Sequence, residues 1–478
     1  MIWIEMNSPL FEQDVRELLM AFYPGEHIVL AREEGVHRVV HVDHGEGELT
    51  LWVAEGEETP KEHRIEMDYS NRAEAKNRLK RLLYHVLEER TGHGLPWGAL
   101  TGIRPTKIAM SRLEQGWDED SIRRFMMEQY LTSREKADLS IEIAKREREI
   151  LKDIDYVNGY SLYVGIPFCP TTCLYCSFTS YPIGKWEKRM EEYLGALFRE
   201  MEYTANRMKG RVLDTVYFGG GTPTSLSAKH LDQVLCRVEE LFDLSHVKEF
   251  TVEAGRPDSI TREKFQVLKN HGVTRISINP QTMKQETLDL IGRRHTVEQV
   301  KEAFFMAREM GFDNINMDLI VGLPEEDIED VRRTMEEIAS LGPDNVTVHS
   351  LAIKRAARLN MFKEQYENLK IVNTQETIDL TARCCREMGL EPYYLYRQKN
   401  MAGNFENVGY AKPGKAGIYN ILIMEEKQTI VGLGAGTTTK AAFPAENRIE
   451  RVENVKEVEQ YIGRIEEMIG RKEKLLAK

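Results

Sequence analysis

Three of the six cysteines, Cys169, Cys173 and Cys176, stand in a C-x3-C-x2-C spacing within residues 161–178, SLYVGIPFCPTTCLYCSF. The apolar run Leu162 to Ile166 before them reads as a buried strand feeding straight into the loop that carries the thiols. Three thiolates this close can hold three corners of a cubane iron–sulfur cluster. Such clusters take four cysteines, so one iron is left open for another ligand. The competing reading is a structural zinc site, which wants four protein ligands, and no histidine or fourth cysteine lies nearby. Ordinary buried thiols are the third. Cys236 sits on an amphipathic stretch and reads as a small buried hydrophobe. Cys384 and Cys385 are adjacent in a helical run, where neighbouring side chains point apart and make a poor metal pair.

Other candidates follow further along. Tyr217-Phe218 runs into Gly219-Gly220-Gly221-Thr222, and glycines at a strand end let backbone amides approach a ligand closely, or simply make a tight turn. Glu253 ends the next apolar run; its carboxylate suits an ammonium group, or plain solvent. Pro280-Gln281 ends another, and twelve residues later Arg293 offers a guanidinium fork that suits a carboxylate, with Arg294 competing. Asp318 closes a further run, where it can accept hydroxyl hydrogen bonds or serve a turn. Tyr163 lies six residues before Cys169 and reads as a core or surface strand residue.

The elements that must position these residues alternate. Strand-like runs at about 161–166, 213–218, 248–253, 274–279, 314–321 and 344–349 are separated by amphipathic segments at 187–208, 227–242, 261–271, 296–310 and 325–340. Repeated β–α units imply parallel strands with right-handed crossovers, and in related barrels the chemistry sits at the C-terminal strand ends. The candidate residues cluster at that edge.

Before this region, residues 1–92 read as an α+β domain of strand, helix, strands and helix, ferredoxin-like or a related α/β sandwich, with a structural or gating role. Residues 93–157 read as a helical linker, in which Arg104 and Lys107 either meet an anion or form a turn and a basic helix start. Residues 158–390 form the α/β region, and 391–478 a C-terminal covering region ending in a charged packing helix.

At 478 residues the chain is long enough for two or three domains. Charged residues make up 30% and apolar ones 41%, as in a soluble, cytoplasmic protein. No apolar run reaches the length of a membrane span. The start, MIWIEMNSPLFEQD, lacks the features of a signal peptide. Six cysteines without a regular framework argue against secretion. A formal charge of −12 argues against nucleic acid as a partner, and a polyanionic substrate needs a local basic pocket.

The cysteine loop resembles the radical S-adenosylmethionine (SAM) superfamily. Tyr163, Ile166-Pro167-Phe168-Cys169, Phe218 to Thr224 and Asp318 to Pro324 narrow the match to the oxygen-independent coproporphyrinogen III oxidase family, and within it to the HemZ-type branch. The enzyme core of the resemblance covers roughly residues 158–440. It implies a partial (β/α)6 barrel with a [4Fe–4S] cluster on the three cysteines, and SAM on the open iron. It also implies site roles: Gly219, Gly220, Gly221 and Thr222 cradle the methionyl end of SAM, Glu253 its amino group and Arg293 its carboxylate. Gln281 contacts the ribose, and the Asp318 carboxylate suits the ribose hydroxyls. Tyr163 stands near substrate and SAM.

The implied activity is reductive cleavage of SAM to a 5′-deoxyadenosyl radical, which takes a hydrogen from a propionate β-carbon. Loss of CO2 and one electron then leaves a vinyl group. An electron donor such as flavodoxin or ferredoxin is implied. For the tetrapyrrole carboxylates, cations follow the sixth strand (Lys354, Arg355, Arg358) and the tyrosine cluster of 393–396 (Arg397, Lys399), with Lys412 and Lys415 beyond. Two departures stand out. Ala254-Gly255-Arg256-Pro257 replaces the more usual Ala-Asn-Pro type of sequence, and Phe178 stands where some members carry a further cysteine. A haem chaperone of the related HemW branch, and another radical SAM tetrapyrrole-modifying enzyme, are the competing expectations.

Overall fold

The computed structural model describes residues 1–102, 104–178, 180–352, 357–361, 369–398, 405–446 and 448–477. They form two compact units, residues 1–145 with 397–400, and residues 146–396 with 401–478.

In the first unit, β1 (Ile2–Met6), β2 (Ile28–Val29), β3 (Arg38–His44), β4 (Glu48–Glu55) and β5 (His63–Glu66) form one sheet in the order β2-β1-β3-β4-β5. Alternate residues Ile2, Ile4, Val40, Val42, Leu49, Leu51 and Val53 turn to one face. There they pack against Val15, Leu18 and Leu19 of helix Glu12–Phe22, and against Leu79, Leu83 and Leu87 of helix Arg72–Thr91. β1 pairs in parallel with both β2 and β3, and the second helix leads into further helices rather than a last strand. The unit is therefore the related α/β sandwich and not the ferredoxin-like arrangement.

The boundary expected at residue 92 is corrected. Helices Thr106–Glu114, Glu119–Tyr130 and the start of Arg134–Ile150 belong to this unit. Lys80 is buried and donates to Thr101 Oγ1 at 2.8 Å, and Arg81 donates to Gln129 Oε1 at 2.8 Å, so the supposed linker is tied to the sandwich. Lys107 lies in the first turn of helix Thr106–Glu114, which begins one residue after Arg104-Pro105, with Pro105 at its N-cap.

The second unit is built on β6 (Gly159–Ile166), β9 (Val212–Gly220), β10 (Glu249–Glu253), β11 (Arg275–Ser277), β12 (Ile315–Val321) and β13 (Asn345–Ser350). These six pair in parallel in chain order. Intervening helices include Met190–Arg207, Ala228–Leu241, Arg262–Asn270, Val297–Glu309 and Ile328–Leu341. The last shows the local logic: Asp327 and Asp330 form a capping box at its start, and Gly342 ends it at φ 69°. This is the α/β architecture of a partial (β/α)6 barrel. Two residues further on from β6, the short β7 (Phe168–Cys169) pairs with β8 (Tyr181–Pro182) and folds the cysteine loop back on itself.

The C-terminal region continues the sheet at both of its edges. β14 (Glu391–Tyr396) and β15 (Asn407–Ala411) extend the sheet antiparallel beyond β13. β16 (Thr429–Leu433) pairs in parallel with β6, followed by antiparallel β17 (Thr438–Phe443) and β18 (Arg448–Glu453). The expected terminal helix is thus a strand and two helices, Val458–Gly463 and Ile465–Leu476. The last is fastened by buried Glu200, whose Oε1 accepts from Lys472 Nζ and, at 2.7 Å, from Asn454. Its Oε2 accepts from Gly434 N at 2.8 Å and Tyr461 OH at 2.5 Å. Among the described residues no helix is long and apolar enough to cross a membrane.

Candidate active site

The cysteine loop is pinned from several sides. From the turn after β9, Gly221 N donates to Ile166 O at 2.8 Å and Thr222 N to Phe168 O at 2.7 Å. From the turn before Arg293, Ile291 O accepts from Leu174 N at 2.9 Å and Gly292 O from Thr171 Oγ1 at 2.9 Å. Cys173 is buried, Cys169 and Cys176 are half-buried, and Cys169 Sγ lies 3.4 Å from Thr222 Oγ1. Burial pushes the Cys169 thiol up to about 11, and a metal would bind it only as the thiolate. Three thiols on one short loop match the donor set of a site-open cubane cluster.

The triple glycine has a steric reason. A Cβ on Gly221 would lie 2.6 Å from Phe168 O and 2.8 Å from Ile166 O, so only glycine lets the two loops meet. Gly220 has φ 100°, which a side chain would strain. A Cβ on Gly219 would come within 3.2 Å of Glu253 Cδ and 3.0 Å of Tyr217 Cε1, filling the cradle beside that carboxylate.

Glu253 and Asp318 come from different strands and are pushed apart in acidity. Burial raises the Glu253 carboxyl to about 7, against the hydrogen bond that Tyr217 OH donates to its Oε1 at 2.6 Å; the Asp318 charge adds to the rise. Burial acts upward on Asp318 too, but His349, Asn316 and Arg275 outweigh it and hold Asp318 below the usual range. Asn316 Nδ2 donates to Asp318 Oδ1 at 2.7 Å. Gln281 is buried at φ 70°, and its N–H donates to Asp318 O at 3.0 Å. Arg293 is buried; its Nη1 donates to Asn279 O, while its Nε has no hydrogen-bond partner. Arg294 is exposed. A cradle of backbone, one carboxylate near neutrality, one ionised carboxylate and a buried guanidinium with an open N–H make a donor set that fits SAM.

Tyr163 lies in a stack. Its ring is 6.0 Å from Tyr217 and 5.9 Å from Tyr419, and Tyr217 and Tyr419 are 4.4 Å apart. Three residues here were not singled out from sequence: Tyr217, Tyr419 and Arg275. Tyr217 is two residues before Gly219 on one strand, and that shared face was the available signal. Arg256, singled out only as a departure, lies 3.7 Å from Cys173 Sγ.

Among the described residues, the expected substrate cations do not gather. Arg355 and Lys399, with Lys354, lie outside the described residues. Arg358 is exposed at the start of a short helix, Arg358–Met361. Arg397 is 4% exposed, donates to Leu100 O at 2.6 Å and lies over the Trp97 ring, 5.6 Å from its centroid, so it is spent in packing. Lys412 pairs with Asp344 at 3.2 Å and Lys415 with Asp313 at 3.0 Å. Because β15 runs antiparallel to β13, with Ala411 opposite Asn345, Lys412 falls at the strand edge away from the cysteines. Tyr393, Tyr394 and Tyr410 are buried rather than offered as an open wall. Phe178 is 69% exposed. Cys236 is half-buried, not core, and lies 4.0 Å from His271 Nε2, with that ring between Asp232 and Glu239 at 3.0 Å each.

Comparison with known proteins points the same way as the geometry. Residues 163–338 match the Radical SAM superfamily. The oxygen-independent coproporphyrinogen-III oxidase-like protein HemZ of Bacillus subtilis is 41% identical over 392 residues, 81% of this chain and 78% of that one. The heme chaperone HemW of the same organism is 32% identical over 278 residues, 58% of this chain and 69% of its own. The oxygen-independent coproporphyrinogen III oxidase of Escherichia coli is 31% identical over 192 residues, 40% and 42% of the two chains. Among solved structures, the coproporphyrinogen III oxidase HemN of Escherichia coli, a radical SAM enzyme, superposes with a TM-score of 0.53 at 22% identity, covering 67% of this chain and 73% of that one. At that identity the superposition speaks to the fold, which it shares.

Proposed function

Since the chain belongs to the radical SAM family of HemZ-type, oxygen-independent coproporphyrinogen III oxidase-like proteins, we propose that it is a cytoplasmic radical SAM enzyme that oxidatively decarboxylates coproporphyrinogen III propionates to vinyl groups. The observation that carries the proposal is the convergence, at one edge of the sheet, of three loop thiols, the glycine cradle, Glu253 and Asp318. When bound, the cluster and SAM together would supply a carbon-centred radical able to remove a hydrogen atom from a substrate propionate, and loss of CO2 would then require an external one-electron acceptor to take the remaining electron.

The chain's own residues do the rest. Cys169, Cys173 and Cys176 hold the cluster. Gly219 to Thr222 let the backbone approach the methionyl chain. Glu253, as carboxylate, accepts from the ammonium of SAM, and Arg293 donates to its carboxylate. Gln281 and Asp318 take the ribose hydroxyls. Tyr163, stacked on Tyr217 and Tyr419, gives the porphyrin a flat neighbour and helps to exclude water. An electron donor of the flavodoxin or ferredoxin kind serves the cluster. The substrate carboxylates fall to Arg358 and to Arg355 and Lys399. The HemW relatives motivate a second reading, haem binding without turnover.

One anaerobic incubation separates the two: reconstituted protein, SAM, a reductant and coproporphyrinogen III, analysed for 5′-deoxyadenosine and for loss of two CO2 per porphyrin. Porphyrin-dependent SAM cleavage with divinyl product is the expected result. Intact porphyrin, with haem held tightly instead, would overturn the oxidase and leave the chaperone.

A further inference from the structure

We propose that Arg256 sets the reduction potential of the cluster, as a buried cation hydrogen-bonded to the sulfur of one cluster ligand. This rests on the assignment of the cluster to Cys169, Cys173 and Cys176. Arg256 is 2% exposed and stands three residues after the end of β10. Its Nη1 donates to Thr171 Oγ1 at 2.9 Å and to Thr171 O at 3.2 Å, and lies 3.7 Å from Cys173 Sγ. Thr171 is inside the C-x3-C span, so the guanidinium grips the loop between two ligands, with the two hydrogens of Nη1 shared among the Thr171 oxygens and the Cys173 sulfur.

The other side of the fork is locked. Nε donates to Asp258 Oδ1 at 2.9 Å and Nη2 to Asp258 Oδ2 at 2.7 Å, a two-point pair that fixes the plane of the group. Among the described residues near Cys173, two cations, Arg256 and Arg293, are buried, and the Asp258 carboxylate that pairs with Arg256 is more open, its side chain 17% exposed. His295, 3.9 Å from Asp258, adds no charge: burial and the Arg293 charge hold its imidazole down to about 3.

Reduction adds an electron to an already anionic group. A nearby cation and an N–H bond to sulfur both stabilise the more electron-rich form, and both gain strength where water is excluded. Arg256 thus makes the cluster easier to reduce. Asp258, which opposes that field, makes it harder while keeping the guanidinium in place. The two residues touch each other, yet their removal moves the potential in opposite directions. A merely structural disturbance of the loop has no reason to do so.

The test is an EPR-monitored potentiometric titration of reconstituted full-length protein, without SAM or porphyrin, after counting iron. R256Q is expected to keep its iron and to lower the reduction equilibrium at least tenfold, a midpoint more negative by about 59 mV for a one-electron couple. D258N is expected to shift it the other way. An unchanged midpoint in either variant, or shifts of the same sign in both, overturns the proposal. If R256Q holds no iron, D258N alone decides, and a midpoint equal to or below that of the unmodified protein refutes it. Failure of the unmodified protein itself to take up a cluster would refute the cluster assignment and this inference with it; a full cluster with unshifted midpoints refutes only the role of Arg256.

Discussion

Replacing Tyr217 with phenylalanine removes one hydroxyl and keeps the ring that stacks on Tyr163 and Tyr419. That hydroxyl donates to Glu253 Oε1 at 2.6 Å and is a force pulling the carboxyl down from the level that burial imposes. A hydrogen bond to a charged group is worth about 1.5–3 kcal/mol, and one pKa unit corresponds to about 1.36 kcal/mol, so its loss raises Glu253 by about one to two units. Glu253 stands at about 7 with Tyr217 present. The sign follows from which form binds: the carboxylate accepts from the SAM ammonium, so binding is present above the pKa and lost as pH falls through it. At pH 7 the carboxylate fraction drops from about one half to between a tenth and a hundredth, and SAM affinity falls by about five- to fifty-fold. Isothermal titration of SAM from pH 6 to 8 reads this. The unmodified protein should show affinity rising through pH 7, Y217F should still be climbing at pH 8, and E253Q should be flat. Equal midpoints in Y217F and the unmodified protein would refute the assignment of Tyr217 as the group that holds Glu253 ionised.

The remaining expectations follow from the same geometry. Anaerobic reconstitution should give about four irons per chain, lost in C169A, C173A or C176A and kept in C236A, C384A and C385A; the reverse pattern would displace the cluster from the loop. R293A should weaken SAM binding by about 1.5–3 kcal/mol, whereas R294A should leave it unchanged because Arg294 is exposed; loss in R294A alone would move the role one residue on. K472M leaves the Glu200 carboxylate buried without its cation, since both side chains are at most 1% exposed, and should cost about 3–5 kcal/mol in urea unfolding. A loss below about 1 kcal/mol would mean that the pair behaves like a surface one and that the last helix is held by packing alone.

Features governed by short-range physics were legible from the chain alone. The six strand-like runs recur as β6 and β9 to β13 within a few residues, because a run apolar on both faces between helical periods has few other uses. The cysteine loop was legible because its residues lie on one short loop. The glycines after Phe218 were legible as a motif, although the reason for Gly221, the carbonyls of Phe168 and Ile166, lies on another strand. The charged residues divided differently. Nothing local distinguishes Arg397 from Arg358, yet one is buried against Trp97 and the other exposed. Lys412 went to the far edge because β15 runs antiparallel, a pairing direction that the strand's own residues do not encode. The tertiary structure alone placed Tyr217 on Glu253 and Arg256 on Cys173, pairs 36 and 83 residues apart in the chain. Hydrogen bonds and field effects act through distances of a few ångströms in space, and only the pairing of the strands and the packing of the loops at their ends bring such residues within that range.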